Sequence, residues 1–192
     1  MKSWILWMGV LMFAKTSFAS PVTTVDFVDL NRYVGAWYEI ASMPQWFQRK
    51  CVKGVMAQYA TLPNGRIEVI NSCVQSDGTR TETLGEAKVE DSETKAKLKV
   101  SFVKLFGNYI YAFGGDYWVI DLETNYNYSV VGHPSRDYGW ILARQPTLPA
   151  ADLIRISENL TRQGYDTCKF IMAIQDGGNT ENIPLCDYVK GL

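Results

Sequence analysis

Eight short segments of alternating apolar and polar residues, spaced evenly and separated by turn signals, constrain this chain more than anything else in it. Trp37, Glu39 and Ala41 share one face of the first segment, and Val55, Ala57 and Tyr59 one face of the second. Asn64-Gly65 is a strong hairpin signal and leads to Ile67, Val69 and Asn71. Thr83, Gly85, Ala87 and Val89 follow, and then Leu98, Val100 and Phe102 opposite Lys97, Lys99 and Ser101. Tyr117, Val119 and Asp121 alternate with Trp118 and Ile120; Tyr128 to Val131 and Tyr138 to Arg144 complete the set. A period of two sends successive side chains to opposite faces of a strand. Many such strands at short, regular intervals predict an all-β fold, an eight-stranded antiparallel up-and-down barrel.

One helix is expected after the last strand. Pro149 suits a first turn, Leu153, Ile156 and Leu160 form one apolar stripe, and Gly164 stands where a helix stops. The stripe has to be buried, and the outside of the barrel is available to it. A short strand is expected from Cys168 to Ile174, and Asp176-Gly177-Gly178-Asn179 reads as loose chain.

Residues 1–19 read as a cleaved signal peptide: Lys2, an apolar run from Trp4 to Ala14 too short to span a bilayer, and the small residues of Ser17-Phe18-Ala19. The mature chain is then a single exported domain, residues 20–192, in a periplasm or outside the cell. No cysteine follows the cleavage region, which argues against a lipid-modified N-terminus. The formal charge is −1 with no clustering of lysine and arginine, so nucleic acid is not an expected partner. Cys51, Cys73, Cys168 and Cys186 are even in number in an exported chain and imply two disulfides. They lack zinc spacing, and no metal or cofactor is expected. Three pairings are open. Cys51–Cys73 with Cys168–Cys186 is favoured, because the ends of an antiparallel hairpin lie side by side. Cys51–Cys186, tying the tail to the wall, is the rival.

Trp37, in Gly35-Ala36-Trp37, and Arg144, which ends the last strand, suggest a plug: an indole at the bottom of the barrel with a guanidinium across its face. Glu39 shares the phase of Trp37 and should point inward, where a carboxyl needs a partner or a raised pKa. Asp121 has a similar phase but lies near a turn and is expected to be solvated. Strand direction brings the loops after the first and fifth strands to one end. One carries Met43, Trp46 and Phe47; the other carries Leu105, Phe106, Tyr109, Ile110, Tyr111 and Phe113. These rings either dock on a membrane or partner, helped by Arg49, Lys50 and Lys104, or fold inward as a lid. Nothing reads as a catalytic constellation. Histidine occurs once, at His133, and neither a nucleophile elbow nor a phosphate loop is present. The expectation is a protein that is not an enzyme.

Three motifs in order resemble the lipocalin family, and within it the bacterial lipocalin and apolipoprotein D branch. They are Gly35-x-Trp37 with Tyr38-Glu39-Ile40-Ala41; Thr124-Asn125-Tyr126, where the family has Thr-Asp-Tyr; and Arg144 after Trp140-Ile141-Leu142-Ala143. The resemblance runs from about Phe27 to Gln175. It implies a barrel closed at one end, a helix packed outside, and a cavity for a fatty acid, a lysophospholipid or a similar apolar molecule. The inward faces supply the expected walls: Val55, Ile67, Val69, Val100, Phe102 and Val119, with Tyr59, Tyr117, Trp140 and Glu39 as polar handles. Gly85 and Ala87 leave volume free. The same residues also suit a filled core, and composition alone does not separate the two. Gly35, Trp37 and Arg144 close the barrel in this reading. A family variant that works as an isomerase through a free inward thiol is not expected, because the four thiols read as paired. An interaction protein that uses the rim and carries no cargo is the alternative. The tail beyond Asp176 and the Cys168 and Cys186 pair depart from the branch.

Overall fold

The computed structural model describes residues 20–192, so the signal-peptide expectation for residues 1–19 lies outside the described residues. A short helix α1 (Leu30–Tyr33) precedes strands β1 (Gly35–Ser42), β2 (Cys51–Thr61), β3 (Ile67–Gln75), β4 (Arg80–Val89) and β5 (Lys97–Ser101). A two-residue pair, β6 (Lys104–Leu105) and β7 (Asn108–Tyr109), decorates the next loop. The barrel resumes with β8 (Gly115–Leu122), β9 (Tyr128–Gly132) and β10 (Gly139–Ala143). Then come α2 (Ala150–Arg162), a two-residue strand β11 (Ile171–Met172) and α3 (Leu185–Lys190).

Neighbouring strands pair in the order β10-β9-β8-β5-β4-β3-β2-β1, and β10 returns to β1, which closes eight antiparallel strands on themselves. Closure removes both sheet edges. The Asn64-Gly65 turn is formed as expected, with Gly65 at φ +77° and Asn64 Oδ1 accepting from the Arg66 N–H at 2.9 Å.

Two apolar clusters divide the molecule. One fills the lumen: Trp37, Tyr59, Ile67, Val69, Ala87, Leu98, Val119, Val131 and Leu142. The other lies between the wall and the helices: Ile40, Ile120, Val130 and Ile141 against Leu153, Ile156 and Leu160 of α2 and Leu185 of α3. Burying those three α2 side chains contributes about 1.5–3 kcal/mol each. Gly164, at φ +82°, ends α2 in a Schellman turn, with the Tyr165 N–H bonded to the Leu160 carbonyl at 2.9 Å.

Bulges overturn two of the expected phases. In β1 the register slips between Glu39 and Ala41. Ala41 therefore joins the outer cluster with Ile40, and Ser42 turns to the face of Glu39. In β8 the slip falls between Val119 and Asp121. Asp121 turns outward, where its Oδ2 accepts from Asn159 Nδ2 of α2 at 2.8 Å. An extra residue in one strand reverses the alternation beyond it.

The expected strand from Cys168 to Ile174 is shorter, and a helical turn at Thr167–Lys169 precedes it. It is inserted between β1 and β2 at the mouth end, where those two strands no longer pair. The Ala173 N–H bonds the Ile40 carbonyl, and the Gly54 N–H bonds the Ile174 carbonyl, each at 2.9 Å. Gln175, only 4% exposed, clips both strands: its amide donates to the carbonyls of Glu39 at 2.9 Å and Val55 at 2.8 Å. The chain expected to be loose is a turn, with the Gln175 N–H on the Asn179 carbonyl. Disulfides join Cys51 to Cys73 and Cys168 to Cys186.

Candidate functional site

The floor of the lumen is built by the chain before β1. The Val28 N–H bonds the Thr94 carbonyl, and Asp29 caps α1 through the Asn31 N–H. Trp37, fully buried, stands on this floor and donates its indole N–H to the Tyr33 carbonyl at 2.8 Å. The Arg144 guanidinium carbon lies 3.7 Å from the Trp37 ring centre. Its Nη1 donates to the Ala36 carbonyl at 2.8 Å. Its Nη2 reaches the carbonyls of Arg32 at 2.7 Å, Val34 at 3.0 Å and Tyr33 at 3.2 Å. A helix as short as α1 leaves its last carbonyls unpaired, and one fork of N–H donors satisfies them. The Tyr126 hydroxyl adds a tie by accepting from the Asp29 N–H at 2.8 Å, and Arg32 stacks on its ring. Gly35, at φ +99°, makes the turn from α1 into β1 against Arg144.

Above the floor is a narrow cavity of about 20 Å³ lined by Tyr33, Tyr59, Ile67, Val69, Ala87, Leu98, Val100 and Tyr117. That volume holds little more than a water molecule. Five residues expected as ligand walls meet here: Tyr59, Ile67, Val69, Val100 and Tyr117. Three others were not expected as walls. Ala87 and Leu98 lie in phase with their neighbours on inward faces and were within reach of that signal. Tyr33 lies in α1, outside any alternating strand, so no periodicity marks it.

The remaining expected residues lie elsewhere. Val119 is fully buried in the lumen cluster, outside the cavity lining. Val55, Glu39 and Trp140 stand toward the mouth, with Trp140 opposite Ser42 and stacked on Tyr138 at 6.2 Å. Phe102 falls beyond the end of β5, is 41% exposed and covers Gly85: a Cβ on Gly85 would lie 2.6 Å from its ring. The volume expected at Gly85 is therefore occupied.

Polar groups in the lumen are few and hydrogen-bond to one another, and Gln48 Oε1 is a buried polar atom without a partner among the described residues. The Tyr33 hydroxyl is 2.8 Å from that of Tyr117 and 2.9 Å from Ser129 Oγ; the Tyr59 hydroxyl is 3.2 Å from that of Tyr117. Burial pushes all three phenols above their ordinary range, Tyr33 to about 12. Glu39 is buried, and desolvation raises its pKa although Ser42 and Gln48 bond to it. Ser42 Oγ donates to it at 2.7 Å and Gln48 Nε2 at 2.9 Å. The β1 bulge makes the first bond feasible, since residues three apart on a regular strand face opposite ways.

At the mouth Trp46 is 72% exposed, Phe47 50%, Phe113 75% and Phe106 94%. They do not fold in as a lid. Tyr111, expected on this rim, turns onto the outer wall instead. Its hydroxyl donates to Glu86 at 2.8 Å, and its ring lies under the cationic groups of Arg66 and Lys88. Tyr109 is half-buried beneath Lys104. Among the described residues, no group of three or more His, Cys, Asp or Glu side chains gathers where it would hold a metal ion.

Residues 28–175 match the family described as a lipocalin-like domain. Outer membrane lipoprotein Blc of Escherichia coli (strain K12) is 40% identical over 157 residues, 81% of this chain and 84% of that protein. Apolipoprotein D of Mus musculus is 35% identical over 156 residues, 77% of this chain and 76% of that one. Among solved structures, insecticyanin from the tobacco hornworm Manduca sexta is similar with a TM-score of 0.64 at 22% identity, covering 81% of this chain and 85% of that one.

Proposed function

The chain belongs to the lipocalin family, and on that premise we propose that residues 20–192 are a single exported domain that carries an apolar small molecule, a fatty acid or lysophospholipid. The observation that carries this reading is the lumen: apolar walls, one end sealed by Trp37 and Arg144, and the other end rimmed by exposed aromatics. The cavity is narrow, about 20 Å³. A slender, flexible acyl chain that parts the Val69, Leu98 and Val100 side chains suits it better than a rigid polycycle. Organic extraction of the protein purified from its natural host, followed by mass spectrometry, tests the reading. Stoichiometric acyl chains are the expected result. A barrel without acyl chains favours a protein that acts through its rim alone.

A second reading, compatible with the first, is peripheral contact of the rim with a membrane. The exposed Trp46, Phe47, Leu105 and Phe106 stand beside Arg49, Lys50 and Lys104, an apolar patch with cations suited to lipid phosphates. No helix among the described residues is long and apolar enough to cross a membrane. The Escherichia coli relative is named a lipoprotein, but all four cysteines of this chain are in disulfides, leaving none to carry a lipid. The same pairing leaves a thiol isomerase without its nucleophile, which supports a carrier over an enzyme. The signal-peptide pattern of residues 1–19 supports export.

A further inference from the structure

Hydrogen-bond donors and acceptors in the lumen do not balance. Tyr59, Tyr117, Tyr33 and Ser129 form an unbranched row of four hydroxyls joined by three contacts of 3.2, 2.8 and 2.9 Å. Each hydroxyl carries one proton, and burial keeps all three phenols protonated. Four protons serve three contacts. Whichever way each hydroxyl turns, one donor has no acceptor within the row.

The surplus proton falls on the hydroxyl toward which the others donate, and this can be any of the four. Ser129 is fully enclosed (0% exposed), and its hydroxyl is hydrogen-bonded to that of Tyr33. Tyr33, Tyr117 and Tyr59 all line the cavity. A donor stranded in a closed interior is destabilising by about 1–3 kcal/mol. Ser129 therefore donates into the row, and the surplus O–H belongs to one of the three phenols that line the cavity, Tyr33, Tyr117 or Tyr59. Hydroxyls donating in series strengthen the last donor.

We propose that the lumen selects an apolar ligand that bears an uncharged oxygen acceptor, such as a keto, hydroxy or ester group, on the part that lies against the phenols of Tyr33, Tyr117 and Tyr59. This rests on the carrier reading and narrows it. An ionised group is disfavoured there. The other walls are Ile67, Val69, Ala87, Leu98 and Val100, and the guanidinium of Arg144 is engaged by four carbonyls across Trp37. Phenols alone do not offset the desolvation of a carboxylate. A plain acyl chain entering tail first leaves the surplus phenol donor unmatched, whereas an oxygen along or at the end of the chain accepts from it.

The test is calorimetric titration of the delipidated mature protein with octadecanoic acid, 12-oxo-octadecanoic acid and 18-hydroxyoctadecanoic acid. At least one oxygenated chain is expected to bind about three- to tenfold tighter than the plain one. The triple variant Tyr33→Phe/Tyr59→Phe/Tyr117→Phe keeps the rings and removes all three cavity hydroxyls. It is expected to lose that preference while still binding octadecanoic acid. Equal binding of all three chains by the wild-type protein overturns the proposal and leaves the carrier reading standing. Failure of every chain to bind overturns both. The ligand comparison on the wild-type protein decides the matter by itself if the triple variant folds poorly.

Discussion

The guanidinium of Arg144 sits 3.7 Å above the Trp37 ring and at the same time holds the carbonyls of Arg32, Tyr33, Val34 and Ala36. One side chain thus joins the last barrel strand to both the closing helix and the start of the first strand. The two residues most diagnostic of the family seal the vessel from below, and the cavity lining does not include either of them.

Arg144→Ala should lower stability by about 3 kcal/mol, since it removes four hydrogen bonds to carbonyls, two of them part-buried, and the stacking on Trp37. For a domain of this size that is a fall of about 6–12 °C in Tm, measured by calorimetry. Arg144→Lys should recover less than half of the loss, because an ammonium lacks the planar fork that serves four carbonyls at once.

Glu39 predicts a pH dependence. Burial raises its folded-state pKa above the ordinary value of 4.5, against the pull of the Ser42 and Gln48 bonds. A carboxyl raised in the folded state holds its proton longer there than in the unfolded chain. The stability linked to it is full below pH 4.5 and is lost as pH rises through the folded pKa. Glu39→Gln should therefore be more stable than wild type at pH 8, with the difference shrinking as pH falls toward 4.5. Urea midpoints across that range check it, and parallel curves would contradict it.

The rim can be tested without disturbing the fold. Trp46 and Phe106 are 72% and 94% exposed, so Trp46→Ser/Phe106→Ser should shift stability by no more than about 0.5 kcal/mol for each site. Co-sedimentation with vesicles rich in anionic lipid should fall by an order of magnitude or more. The residual wild-type binding should weaken with salt, because Arg49, Lys50 and Lys104 supply its electrostatic part. Unchanged sedimentation would remove the membrane contact.

Cys168–Cys186 closes a loop of 18 residues' separation and pins α3, six residues long, which is too short to persist alone. Replacing both cysteines by alanine should destabilise by about 2–4 kcal/mol. Hydrogen exchange should speed up first in α3, whose Leu185 is fully buried against the outer cluster.

The barrel was legible because period-two patterning is a direct print of a two-sided wall. Phase put Ile67, Val69, Val100, Tyr59 and Tyr117 on inward faces, and the resemblance to lipocalins is what made those faces cavity walls. The misses have physical causes. Bulges at Glu39/Ala41 and Val119/Asp121 reverse the phase partway along a strand, and no residue type announces them. Tyr33 reaches the lumen from a helix below it, so its role depends on closure contacts 84 and 96 residues away in sequence, at Tyr117 and Ser129. Tyr111 left the expected rim because Glu86, Arg66 and Lys88 on the outer wall offer its hydroxyl and ring better partners than water does.

The inserted segment of residues 171–175 ties the order of folding to the order of synthesis. Its bonds run from Ala173 to Ile40, from Gly54 to Ile174, and from Gln175 to Glu39 and Val55, across 120 residues or more between Val55 and Gln175 and 136 between Glu39 and Gln175. Contacts so distant in sequence form late and slowly. A nascent chain that stops before residue 171 keeps the upper halves of β1 and β2 as open strand edges, the template on which chains aggregate. The C-terminal segment therefore covers those edges only after the whole barrel has been made, so the wall at the mouth is completed last in the order of synthesis.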